Sequence, residues 1–88
     1  MAGFDEKRYD ATVAELEQVL REHRSELEPA TVRVIERNLA IIDRATEQAR
    51  QALLADPSNP YLNGHLADQM RRKIRLLQTA TEAIAARS

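Results

Sequence analysis

The residues able to do chemistry are few, and their spacing brings little together. His65 has Asp68 at i+3 and Gln69 at i+4, separations that place side chains on one face of a helix. That trio is a weak seed for a metal site. His23, the other histidine, stands in a different segment with no second ligand at matched spacing. Zinc takes three or four protein ligands, so His65 and His23 fall short of a site. The expectation is no metal, with His23 half-buried on an apolar stripe and His65 at the surface. Glu15, Glu17 and Glu22 have no neighbours that would bury a carboxyl and raise its pKa, as an acid–base pair needs. Ser25, Ser58 and Ser88 fall at a helix end, a turn and the terminus, where serine caps rather than attacks. Only Gly3 and Gly64 are glycines, so no phosphate-cradling loop exists, and the absence of cysteine removes thiolate metal sites and a cysteine nucleophile. No catalytic residue and no cofactor is expected; the chain reads as non-enzymatic.

The densest chemistry is the basic run Arg71-Arg72-Lys73-Arg75. Such runs meet nucleic acid or anionic lipid, but Ile74, Leu76 and Leu77 interrupt this one at helical spacing. The run is therefore part of an amphipathic helix, with its bases pointing several ways around the axis. The whole chain holds 13 Lys+Arg against 14 Asp+Glu, and its aromatics are only Phe4, Tyr9 and Tyr61. Neither a strongly basic face nor a base-stacking platform follows from that composition. Charge is unevenly spread. Residues 1–27 carry seven acids and four bases, a net −3, whereas residues 57–88 carry two acids and five bases, a net +3. The two ends attract one another if adjacent, or attract a second copy; as solvated faces each exposed pair contributes at most ~1 kcal/mol.

The elements that must position these residues are helices. Ala, Leu, Glu, Arg and Gln dominate, a helix-forming composition. Pro29 and the segment Asp56-Pro57-Ser58-Asn59-Pro60 divide the chain into three stretches. Proline suits the first helical position, where its missing N–H costs nothing, so helices are predicted to start at Pro29 and Pro60. Asn59 is the expected N-cap of the third. Asp5 would cap the first, with Phe4 and Tyr9 as a hydrophobic staple, and Leu27 and Val32 repeat the staple around Glu28. Gly64, one turn into the third helix, marks either a close helix approach or a tolerated residue in a fraying turn.

Apolar residues alternate at steps of three and four in each stretch. Tyr9, Val13, Leu16, Leu20, His23 and Leu27 form the first stripe, and Ile35, Leu39, Ile42, Thr46, Ala49 and Leu53 the second. Leu62, Leu66, Met70, Ile74, Leu77, Thr81 and Ile84 form the third, and Val19, Ile41, Ala45, Ala52, Leu76 and Ala80 widen the three. Helices are predicted over about 5–26, 29–55 and 60–87, or roughly 33 to 42 Å long at 1.5 Å per residue. Short connections make neighbours antiparallel, so the fold class is all-α, an up-down-up three-helix bundle in a single domain 1–88. The alternative is a hairpin of the second and third helices with the first exchanged in a dimer. Leu16, Leu20, Leu39, Ile42, Leu66, Met70 and Leu77 should form the core. Val34, Ile41, Leu54 and Leu76 exceed what one bundle interior absorbs. With Arg71, Arg72 and Arg75 they are the candidate interaction residues, for a protein partner or a second copy in a homodimer. No stretch approaches the ~20 apolar residues of a membrane span, and the N-terminus turns charged where a signal peptide needs an apolar run.

Two resemblances carry functional content. Ala52-Leu53-Leu54-Ala55-Asp56-Pro57, with Ala45 before it, resembles the end of a tetratricopeptide repeat. The helices are too long for that 34-residue unit and no second repeat follows. A wider match covers residues 31–84. Val34-Ile35-Glu36-Arg37-Asn38-Leu39, Ile42-Asp43, Ala52-Leu53 with Asp56-Pro57, Asn59-Pro60-Tyr61-Leu62 and Arg72-Lys73 with Leu76-Leu77 are its carriers. They resemble the C-terminal, extracytoplasmic region of bacterial membrane-anchored anti-sigma factors of the zinc-finger type, and residues 9–32 resemble what precedes it there. In that family a cytoplasmic zinc-binding segment holds the sigma factor, one transmembrane helix follows, and then comes this region. The present chain carries neither the His/Cys zinc motif nor the membrane helix, so sigma-factor binding does not transfer to it. The resemblance implies an extracytoplasmic sensory or oligomerisation domain of a transcription regulator. The alternatives are a periplasmic metal or small-ligand sensor and a stand-alone cytoplasmic adaptor with tetratricopeptide-like features.

Overall fold

The computed structural model describes residues 6–87. They form three α-helices: α1, Glu6–His23; α2, Pro29–Ala55; and α3, Pro60–Arg87, with a 3₁₀ turn at Arg24–Glu26 between α1 and α2. The protein is an all-α, up-down-up three-helix bundle measuring 45 × 24 × 15 Å. α1 folds back onto α3 of its own chain, as in the closed bundle.

Both connections draw on local chemistry, the first together with the packing of Leu27. Pro29 disfavours helical geometry in the residue before it, and Glu28 is held extended at φ −58°, ψ 137°. Leu27 is extended too, at φ −100°, ψ 154°, and its N–H donates to the Arg24 carbonyl at 3.1 Å. Helix 1 therefore ends at His23 rather than at residue 26. The 3₁₀ turn tightens the chain so that Leu27 drops into the core beside Val32, each 7% exposed, as the staple around Glu28 requires. The Asp5 cap and the Phe4 half of the first staple lie outside the described residues.

At the second connection the Leu62 N–H donates to Asn59 Oδ1 at 3.0 Å, which makes Asn59 the N-cap of α3. Asn59 Nδ2 also donates to Asp56 Oδ2 at 2.9 Å, and Asn63 Nδ2 donates to the carbonyls of Pro57 and Asn59. Apart from its chain neighbours and its own helical turn, Gly64 has no atom within 4 Å of where a Cβ would sit, so close helix approach is not its reason.

α3 is the central helix: it packs along both α2 and α1, which barely meet each other. One cluster joins Tyr9 and Val13 of α1 to Met70 and Leu77 of α3; a second joins Leu27, Val32 and Ile35 to Ala80 and Ile84. Leu20 and Leu39 pack against both. Of the expected core, Ile42, Met70 and Leu77 are buried, whereas Leu16, Leu20, Leu39 and Leu66 are half-buried. With α1 and α2 scarcely in contact, the residues flanking α3 lack a third wall. Thr46 is buried without penalty because its hydroxyl donates to the Ile42 carbonyl at 2.8 Å.

Candidate interaction surface

α2 turns Val32, Ile35, Ile42, Thr46 and Ala49 inward. Successive helical residues are about 100° apart, so Ile41 is swung off that stripe. It is 61% exposed, and Val34, seven residues earlier on the same face, is 55% exposed. Across from Ile41, α3 presents Arg72, Arg75, Leu76 and Thr79, and with Asn38 and the edge of Ile42 these line an open groove between α2 and α3. On the other flank of Ile41, Arg37, Ala40, Arg44 and Ala45 border a second shallow hollow. Ile41 is thus an apolar ridge between two depressions, with arginines on both sides.

The candidate interaction residues therefore separate. Ile41, Leu76, Arg72 and Arg75 come together, and Val34 continues their face. Leu54, 77% exposed, stands beside the α2–α3 turn, roughly 20 Å along the axis from Ile41 at 1.5 Å per residue. Arg71 points to another side of α3, where it pairs with Asp68 at 3.2 Å and lines a hollow with Glu6 and Asn63. Arg37, Arg44, Asn38 and Thr79 were not singled out from the sequence. The signal was present in Arg37, Ile41 and Arg44, whose spacing of four and three sets two bases beside one exposed apolar residue.

Lys73, the remaining base of the run, serves the fold. Its side chain is 14% exposed and reaches Asp43 of α2 at 2.8 Å and Glu17 of α1 at 3.6 Å, so one ammonium ties all three helices. Burial lowers its pKa, but the hydrogen bond to Asp43 and the charges of Asp43, Glu17 and Tyr9 outweigh burial and hold it above 10.5. Burial pushes the Tyr9 hydroxyl above its ordinary 10.0. The −3 and +3 ends of the chain meet here, since α1 lies along α3.

His23 and His65 are kept apart. His23, at the C-terminus of α1, approaches Glu26 at 2.7 Å in the 3₁₀ turn. That hydrogen bond, against the opposing effect of burial and with help from the charges of Glu26 and Glu22, raises its pKa above 6.5. His65 is half-buried, its ring stacked on Tyr61 at 5.9 Å and 6°. α1 and α3 run parallel, which puts the two histidines at opposite ends of the bundle. No group of three or more His, Cys, Asp or Glu able to hold a metal occurs among the described residues.

No protein-family model, curated protein or solved structure matches the chain. No helix of the described residues is long and apolar enough to cross a membrane.

Proposed function

We propose that the chain is a non-enzymatic helical interaction domain that works by binding another protein through the α2–α3 face. The observation that carries this is Ile41. Burying an aliphatic side chain of this size is worth roughly 1.5–3 kcal/mol, yet the fold leaves it 61% exposed on a ridge shared with Val34. A partner that covers the ridge recovers that burial, and no side chain in the groove has the neighbours of a catalytic acid, base or nucleophile.

The resemblance of residues 31–84 to the extracytoplasmic region of anti-sigma factors supports placing this domain in a membrane-anchored transcription regulator. There its contacts would report a signal from outside the cytoplasm. An apolar span of ~20 residues encoded upstream of this segment would bear that placement out; a gene without one would remove it.

The interaction reading is tested by a photoreactive amino acid placed singly at Ile41, Val19 and Tyr61, one on each helix, in the full-length protein in its own cells. A discrete protein adduct from Ile41 is expected, with weaker or no capture from Val19 on α1. No adduct from Ile41 would overturn the reading, as would a metal ion or metabolite that raises the melting temperature by binding only the folded chain.

A further inference from the structure

Four arginines surround the Ile41 ridge: Arg37 and Arg44 from α2, Arg72 and Arg75 from α3. All are exposed, and none forms an ion pair among the described residues. Other bases of the fold are paired, Arg24 with Glu36, Arg50 with Glu6, Arg71 with Asp68, and Lys73 with Asp43 and Glu17, while Arg21, Arg33 and Arg87 also form no ion pair among the described residues. The α2 acids nearest in sequence are turned away, since Glu36 is committed to Arg24 and Asp43 to Lys73. Asn38 and Thr79, the other polar residues of the groove, are neutral. A chain with net charge −1 therefore sets four arginines, and no acid among the residues lining the two hollows, around its exposed apolar ridge.

We infer that this groove takes an acidic amphipathic helix of a partner protein. The inference rests on the interaction reading above and names the occupant. Helix-in-groove recognition needs an apolar seat for anchors at i, i+3 or i+4, and i+7, which Val34, Ile41 and Leu76 supply. The arginines then meet carboxylates on both flanks of the bound helix, and Arg suits carboxylates because its planar fork binds both oxygens at once. The exposed face from Arg33 to Gln48 is roughly 22 Å long, the length of about 15 helical residues.

Charge also selects against the other occupants. A second copy docked about a two-fold axis would set this patch against itself and bring like guanidiniums together. Nucleic acid finds no aromatic ring in the groove on which to stack a base. A membrane surface would need the broad apolar face of an interfacial helix, and the broad apolar face of α2 is already in the core.

The test uses two helical peptides of about 15 residues, one with Leu at i, i+3, i+4 and i+7 and Glu on both flanks, the other with Lys replacing every Glu. Each is titrated into the 88-residue chain while its backbone amide NMR signals are followed. The acidic peptide should bind and shift signals within 34–48 and 72–79, and the basic one should not. Raising salt from about 0.05 to about 0.5 M should weaken binding at least tenfold, because exposed charges are screened. Arg72→Glu with Arg75→Glu, both at exposed positions, should weaken it at least tenfold while leaving the helical circular dichroism unchanged. Should that variant unfold, Arg37→Gln with Arg44→Gln gives the same readout from α2. Equal binding of both peptides, shifts outside the groove, or indifference to the arginine changes would overturn the inference. So would tighter, arginine-dependent binding of single-stranded DNA or anionic phospholipid vesicles. Cross-linking from Ile41 without peptide binding would leave the interaction reading standing and remove this occupant alone.

Discussion

At the scale of single residues, the side chains that looked most chemical are the ones the fold uses locally. His23 is an example. A protonated imidazole at a helix C-terminus is favoured by the helix dipole, and here it also meets Glu26 at 2.7 Å. A raised pKa in the folded chain means that the contact stabilises the turn fully below the ordinary value of 6.5 and is lost as pH rises through the higher, folded value. The His23 ring protons, followed by NMR from pH 5 to 9, should titrate with a midpoint above 6.5, and Glu26→Gln should bring it down. A midpoint unmoved by that change would remove Glu26 as the cause. Gly64 gives a second prediction with the opposite sign to most substitutions. Open space surrounds its absent Cβ, so Gly64→Ala should stabilise the protein by up to ~1 kcal/mol in urea unfolding. A loss of stability would mean that the first turns of α3 need glycine for a reason other than space.

At the scale of the elements, the helix boundaries set by proline were legible and those set by packing were not. Pro29, Pro60 and Asn59 act through their own backbones and through a cap that spans three residues, so α2 and α3 begin where the sequence places them. The 3₁₀ turn after His23 left no comparable mark. Arg24-Ser25-Glu26 is as helix-compatible as what precedes it, and the chain tightens there because Leu27 must reach Ala80 and Ile84. Lys73 was hidden for a related reason. Within Arg71-Arg72-Lys73-Arg75 the four bases look alike, and only the placement of α3 between α1 and α2 makes one of them a shared ion-pair partner. The cap allows a direct comparison of neighbours. Asn59→Ala deletes the acceptor of the Leu62 N–H and should cost about 1 kcal/mol. Ser58→Ala, at an exposed turn position, should stay within about 0.5 kcal/mol. Chemical denaturation of the pair would expose an error in the cap assignment if Ser58 proved the costlier site.

At the scale of the whole molecule, the central position of α3 concentrates stability on one helix and leaves the outer faces of α1 and α2 to solvent. Leu77 is 0% exposed, so Leu77→Ala should cost about 2–5 kcal/mol, and Leu39→Ala, at a half-buried site on the flank, distinctly less. Equal losses in thermal unfolding would contradict a core centred on α3. The same geometry governs whether the chain pairs with itself. Counting apolar residues in the sequence favoured self-association through Val34, Ile41, Leu54 and Leu76. In the fold, Leu54 lies far from the others and arginines flank Ile41 on both sides. Covering Val34 and Ile41 on two copies gains roughly 1–2 kcal/mol per side chain, no more than the ~4–15 kcal/mol that association costs in lost freedom. Charge then decides the sign, since each pair of like charges at 4 Å costs about 1 kcal/mol even in water. Sedimentation equilibrium at low salt should therefore give a mass near 10.0 kDa across a wide concentration range. Replacing Arg37, Arg44, Arg72 and Arg75 together by Gln removes the repulsion and should promote association, and adding Ile41→Glu to that variant should reverse it. A wild-type dimer that tightens as salt is lowered, and that Ile41→Glu dissolves, would show the arginines facing acids of the second copy instead of each other.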